Sequence, residues 1–206
     1  MSAVRFVHRL NDEGFLHERR DYLKLVRVEE LLERWVSANR EAFAQFPARW
    51  IMERSAEQLS ASLAKYSGEG SDLSTPKRRG SNVNVRTKLR CCLGLFAAAD
   101  ALGFGFVRGV PPHIWMERLD PDVLRHFGLK ADDSPSPPDV YVRVPSNREA
   151  VFRAATTADG VPVSDVLQTW LDVSTHPARG RAQADVIRKR ALRTLRLERR
   201  QDGRSF

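Results

Sequence analysis

The stretch Val161 to Arg181, VPVSDVLQTWLDVSTHPARGR, constrains the fold more than any other part of this 206-residue chain. Val163, Val166, Leu167, Trp170 and Leu171 recur at i, i+3, i+4, i+7 and i+8, the spacing of a helix with one buried face. Asp165, Gln168, Asp172 and Ser174 fall off that stripe, and Asp165 suits a helix N-cap. His176-Pro177 ends the helix, because a proline pushes the residue before it out of helical backbone. Ala178-Arg179-Gly180 then turns the chain into a strongly basic helix expected over 182–199, with Ala184, Ile187, Ala191 and Leu195 inward.

Upstream, helical and strand patterns alternate. Ala3 to Leu10 reads as a helix with Val4, Val7 and Leu10 on one side and Arg5, His8 and Arg9 on the other. Gly14 supplies its left-handed end, and Phe15–Arg19 and Leu23–Arg27 read as a hairpin whose turn holds Arg20, Asp21 and Tyr22. A helix, a glycine and a basic hairpin form the second half of a winged helix, which would set the helix in a major groove and the wing on phosphates. The two helices that normally precede that pair are not in the sequence. Either they lie upstream, or the unit is a remnant with Val4, Phe6 and Val7 lacking partners. Val28 to Ala38 is amphipathic through Val28, Leu31, Leu32, Trp35 and Val36.

The rest reads as a mixed domain. Asn39–Gln45 is a connector and Ala48–Glu53 a strand. Ser55 and Gln58 form a capping box for a helix with Leu59, Leu63 and Tyr66. Ser67–Asn82 is a loop. Arg86–Leu102 is expected as the central helix, striped by Leu89, Cys92, Leu93 and Phe96 and ended by Gly103. Phe104–Arg108, Ile114–Arg118 and Asp139–Val144 are expected strands. Asp120-Pro121 opens a short helix. Lys130–Pro138 reads as a linker, Asn147–Arg153 as a short helix, and 155–160 as a strand or turn. The fold class is therefore α/β (α+β): a partial winged-helix element over 1–38, then a mixed α/β domain over 39–206 with a small sheet flanked by helices.

Net charge is +8, concentrated in two blocks: Lys77, Arg78 and Arg79 with their neighbours, and the C-terminal run including Arg188, Arg193 and Arg196. Either block can meet a polyanion or an acidic protein. Cys91 and Cys92 are adjacent within an apolar run, which makes them buried free thiols and points to a reducing cytoplasm. There is no signal-peptide pattern and no apolar run long enough for a membrane.

Catalytic patterns are sparse. No histidine has ligand spacing to another His, Cys or carboxylate, and GFGFVRG is neither GxGxxG nor a Walker loop. Asp139, Asp165 and Asp172 are the candidates for a divalent-metal site of a nucleic-acid-processing enzyme, which would require the three to converge in a cleft.

Three passages resemble the AbiEi family, the antitoxin half of type IV toxin–antitoxin pairs. They are the segment with Leu167, Gln168, Trp170, Leu171, Asp172, Pro177, Arg179 and Gly180; LFAAADALGFGFVRGVPPHIWMER; and HRLNDEGFLHERRDYLKLVRVEELLERW. The resemblance implies a non-enzymatic, cytoplasmic repressor without a cofactor or metal. Its winged helix would bind operator DNA, and its C-terminal domain would counter a nucleotidyltransferase-like toxin of the AbiEii type. By position in helix and wing, DNA contact falls to Arg5, His8, Arg9, Arg19, Arg20 and Lys24, while Gln168, Trp170, Asp172, Pro177, Arg179 and Gly180 are structural. The alternatives are the metal-dependent enzyme and an interaction module that does not bind DNA.

Overall fold

A computed structural model describes residues 3–19, 22–39, 43–68, 88–177 and 179–192. Two compact units divide the chain, Met1–Glu41 and Ala42–Phe206. The architecture is mixed α/β, with a two-stranded sheet in the first unit and a seven-stranded sheet in the second.

In the first unit, α1 (Ala3–Asp12) leads to the hairpin β1 (Leu16–Arg19) and β2 (Tyr22–Leu25), then α2 (Val28–Asn39). Gly14, at φ 74°, lets the Phe15 amide bond back to the Leu10 carbonyl at 2.8 Å while its own amide bonds that of Asn11. This left-handed closure ends α1 and fixes the direction of the hairpin. Phe15, Leu16, Leu31 and Leu32 are buried. Val4 and Phe6 are 63% and 46% exposed.

The second unit runs β3 (Phe43–Trp50), α3 (Ala56–Gly68), β4 (Cys91–Gly94), α4 (Leu95–Ala101), β5 (His113–Met116), α5 (Pro121–His126), β6 (Leu129–Ala131), β7 (Val140–Pro145), α6 (Arg148–Phe152), β8 (Thr156–Ala158), β9 (Val161–Val163), α7 (Val166–Ser174) and α8 (Gly180–Ile187), followed by a π-helical turn, Arg188–Leu192. The sheet order is β6-β3-β7-β5-β4-β9-β8; β5 and β7 are parallel, as are β4 and β9, and the other pairs are antiparallel. Strand alternation splits the side chains between two faces. Cys91, Leu93, Ile114, Met116, Val140 and Val142 join Leu59 and Leu63 of α3 and Leu124 of α5 on one face. Cys92 and Trp115 meet Val151 and Phe152 of α6 on the other. Burying each such leucine contributes about 1.5–3 kcal/mol, so α3 is held by packing rather than by its own propensity.

Local signals place several ends where the sequence expects them. The Ser55 amide donates to Gln58 Oε1 at 3.0 Å and the Gln58 amide to Ser55 Oγ at 3.4 Å. The Asp120 carboxylate accepts the amides of Asp122 and Val123 at the start of α5. Gly103, at φ 78°, closes α4.

Elsewhere the expectation is corrected. Arg86–Leu102 is not one helix: Cys91–Gly94 is a central strand, buried on both faces, which breaks at Leu95 into a short helix. Leu95 sits at φ 53°, a left-handed backbone that costs on the order of 1–3 kcal/mol in a non-glycine residue and is offset by the full burial of its side chain. Phe104–Arg108 is not a strand. The Gln183 amide satisfies its backbone instead, donating to the Phe104 carbonyl at 2.7 Å and accepting the Phe106 amide at 3.3 Å. β3 begins at Phe43 rather than at 48. Pro47 is tolerated there because the Tyr141 amide opposite it turns to Pro112, leaving Pro47 to face the side where β6 has ended. The expected linker after Lys130 begins within β6, whose Leu129 is buried. The expected loop falls on residues mostly outside those described, as does the last helix beyond Leu192.

The opening stretch is reoriented. Val161–Val163 is strand, Asp165 caps α7, and Val166 and Leu167 are 36% and 38% exposed. The inward face instead carries Gln168, Thr169, Leu171, Asp172 and Val173. The helix turns a polar face inward because the sheet opposite it presents a buried arginine.

Candidate functional site

On α1, Arg5, His8 and Arg9 are exposed on the side opposite the half-buried Val7 and Leu10. Lys24 is exposed on β2, paired in register with His17. The Arg19 backbone pairs with Tyr22, while its side chain and all of Arg20 lie outside the described residues. Arg9 Nε donates to Glu13 Oε1 at 2.9 Å, and Arg34 Nη1 of α2 donates to Glu13 Oε2 at 2.6 Å. These two hydrogen bonds hold the Glu13 carboxyl below the usual carboxylate range. Arg27 pairs with Glu30. The guanidinium groups of Arg27 and Arg34 lie 5.1 and 5.3 Å from the centroid of the Phe15 ring. In the first unit, therefore, Glu13 pairs Arg9 and Arg34 and Glu30 pairs Arg27, beside the exposed basic groups of α1 and the hairpin.

The two basic blocks give little surface to describe. Lys77, Arg78, Arg79, Arg193 and Arg196 lie outside the described residues, and Arg188 is half-buried in the π-helical turn. Several other cations of the second unit are matched by acids: Arg90 with Glu117 and Glu149, Arg108 with Asp100, Arg118 with Asp120, Arg125 with Asp122 and Arg49 with Asp132.

The motif residues at the C-terminal end form a buried polar cluster. Asp172 accepts Trp115 Nε1 at 3.0 Å on one carboxylate oxygen and Gln168 Nε2 at 2.9 Å on the other. Arg143 Nη1 lies 4.0 Å from Asp172, Arg143 Nε donates to Gln45 Oε1 at 2.9 Å, and Phe43 lies over the guanidinium. Arg143 Nη1 itself makes no hydrogen bond. Desolvation lowers the Arg143 pKa, and the charge of Asp172 offsets only part of that. His113 is buried beside this cluster, with Nδ1 2.9 Å from the Pro111 carbonyl and its ring stacked on Tyr141. Burial, then the charge of Arg143, pushes its pKa down to about 3. Pro177 follows the end of α7; Arg179, at φ 53°, and Gly180 begin α8. Trp170 packs with the core shared by α4, α7 and α8.

Sequence reasoning missed Arg143, Trp115, Gln45 and Gln183, and it also missed Glu13 and Arg34. The only signal for Arg143 was its place in DVYVRV, on the face opposite Val140, Val142 and Val144. The three carboxylates proposed for a metal do not converge. Asp139 Oδ2 accepts the Trp50 amide, Asp165 caps α7 through Leu167 and Gln168, and Asp172 lies in the buried cluster. Among the described residues no three His, Cys, Asp or Glu side chains gather around a common point. Cys91 and Cys92 are free and buried, and burial drives both thiols up, Cys91 to about 12. Among the described residues no helix is long and apolar enough to cross a membrane.

No family model, curated protein or solved structure matches this chain.

Proposed function

We propose that this chain is a DNA-binding repressor and antitoxin of the AbiEi type, acting in the cytoplasm without an enzymatic activity of its own. The observation that carries the DNA-binding half is the single exposed face of α1 that brings Arg5, His8 and Arg9 together beside a hairpin bearing Lys24. In this reading α1 enters the major groove, where the Arg5 guanidinium can bind guanine O6 and N7 in bidentate fashion and Arg9, a turn further on, reaches a phosphate at the groove edge. The hairpin, with Arg19, Arg20 and Lys24, follows the phosphates. The antitoxin half rests on the family resemblance, with the second unit as the surface offered to a nucleotidyltransferase-like toxin.

The test of the first half is a salt titration of binding to a labelled duplex taken from immediately upstream of the gene. Specific binding that weakens linearly in log–log form, with a slope near −0.9 per neutralised phosphate, is expected. Binding that is insensitive to both sequence and salt overturns it. For the antitoxin half, co-expression with the neighbouring gene should restore growth; continued arrest overturns it.

A further inference from the structure

Glu13 follows the last turn of α1 and holds two cations at once, Arg9 of α1 and Arg34 of α2, one on each carboxylate oxygen. Arg9 and Arg34 are both exposed, with side chains at 63% and 55%. Arg34 is held from a second side, because its guanidinium lies by the Phe15 ring and Phe15 is buried. An exposed arginine–carboxylate pair is worth little in water, so Arg9 can exchange partners readily. If Glu13 had no second cation, the exchange would leave its carboxylate to hydration alone. With Arg34 in place, it does not.

We propose that Glu13 and Arg34 are positioning residues for Arg9. Glu13 competes with DNA for the Arg9 guanidinium, and Arg34 weakens that competition by keeping Glu13 paired when Arg9 transfers to a phosphate. The inference rests on the DNA-binding reading above. Arg34 then governs DNA affinity without touching DNA, and its influence passes wholly through Glu13.

That chain of dependence gives a pattern of signs. In Arg34→Gln, Arg9 is the last cation on Glu13, so its transfer to phosphate is opposed and affinity falls by roughly twofold to fivefold. Arg9→Ala removes the contact itself and makes the salt slope shallower by about 0.9, and adding Arg34→Gln loses no more. Glu13→Gln alone tightens binding by roughly twofold to fivefold, the release of a surface pair. Glu13→Gln combined with Arg34→Gln binds as Glu13→Gln does, because nothing competes for Arg9. Arg34→Lys keeps a cation for Glu13 and stays close to wild type.

The experiment is fluorescence anisotropy of the full chain and these variants on the upstream duplex across a salt series, with circular dichroism to show that each variant is folded. Rescue of Arg34→Gln by Glu13→Gln is the expected result. An affinity unchanged in Arg34→Gln, or lowered and not rescued, overturns this inference while leaving the DNA-binding reading standing. A wild-type chain with no salt-dependent binding overturns both.

Discussion

Arg9 meets Glu13 on the surface of the first unit, and Arg143 meets Asp172 inside the second. The same two chemical groups serve opposite ends. On the surface, water solvates either partner as well as the other does, so the pair orients a side chain and lets it go. Inside, neither charge can return to water without unfolding. Arg143 is stacked on Phe43 and bonded to Gln45, while Asp172 is bonded to Trp115 and Gln168. The buried pair therefore ties β3, β5, β7 and α7 to one arrangement. The difference teaches which charges a ligand can recruit: the Arg9–Glu13 pair is exchangeable, whereas Arg143 and Asp172 are committed to the interior of the second unit.

The comparison breaks most visibly at Asp172. Asp172→Asn keeps an oxygen for one N–H but leaves Arg143 buried without its counter-charge, which should cost about 3–5 kcal/mol. The urea midpoint of the second unit should fall accordingly with an unchanged slope; a loss below about 1 kcal/mol would mean that the pair fixes nothing. Next comes Gly180. A Cβ there would lie 2.1 Å from the Val173 carbonyl oxygen, which is backbone and cannot swing aside. Gly180→Ala should therefore cost about 1–3 kcal/mol and loosen α8 from α7, seen as faster amide exchange in 180–187.

How much of this was legible follows from how local each signal is. The caps at Ser55, Asp120 and Gly103 could be read because a cap is decided by a few neighbouring residues. Cys91–Gly94 could not, because a strand covered on both faces has no alternation to distinguish it from a helix segment. The inward face of α7 was misread because the periodicity argument assumes an apolar partner. Its partner is Arg143, which lies 29 residues upstream of Asp172 and looks like an ordinary solvent-facing residue of an alternating strand. Gln183 was invisible for the same reason: nothing near it in sequence announces that Phe104 and Phe106 lack a strand neighbour. At α1 the exposed basic face was legible from its spacing, whereas the acid that holds Arg9 acquires its second partner only through the fold.

His113 offers a pH test of the buried side of the comparison. Its pKa is about 3 in the folded chain, against the ordinary histidine value of 6.5 once the chain unfolds. Between those values the unfolded chain binds the extra proton, so stability is full above about pH 6.5 and declines as pH falls toward 3. His113→Asn can still donate to the Pro111 carbonyl but cannot titrate. The dependence of unfolding free energy on pH in that window should become shallower by nearly one proton. An unchanged pH dependence would show that His113 is solvated and able to charge in the folded state.

The smallest effect is expected where the function is proposed. Glu13 is half-buried between two exposed arginines, and removing its charge leaves Arg9 and Arg34 free to hydrate, so Glu13→Gln and Arg9→Ala should leave the melting profile of the chain within experimental error. Acidification has the same sign but little size. The lowered Glu13 pKa adds stability above the ordinary carboxylate value and loses it as pH falls through the folded one. A large destabilisation in either variant would make Glu13 a structural tie between α1 and α2. Arg9 would then be no more exchangeable than Arg143, and the contrast between the two units would disappear. A silent melt beside a changed salt slope would separate the two roles, because folding would not register the pair while DNA binding did.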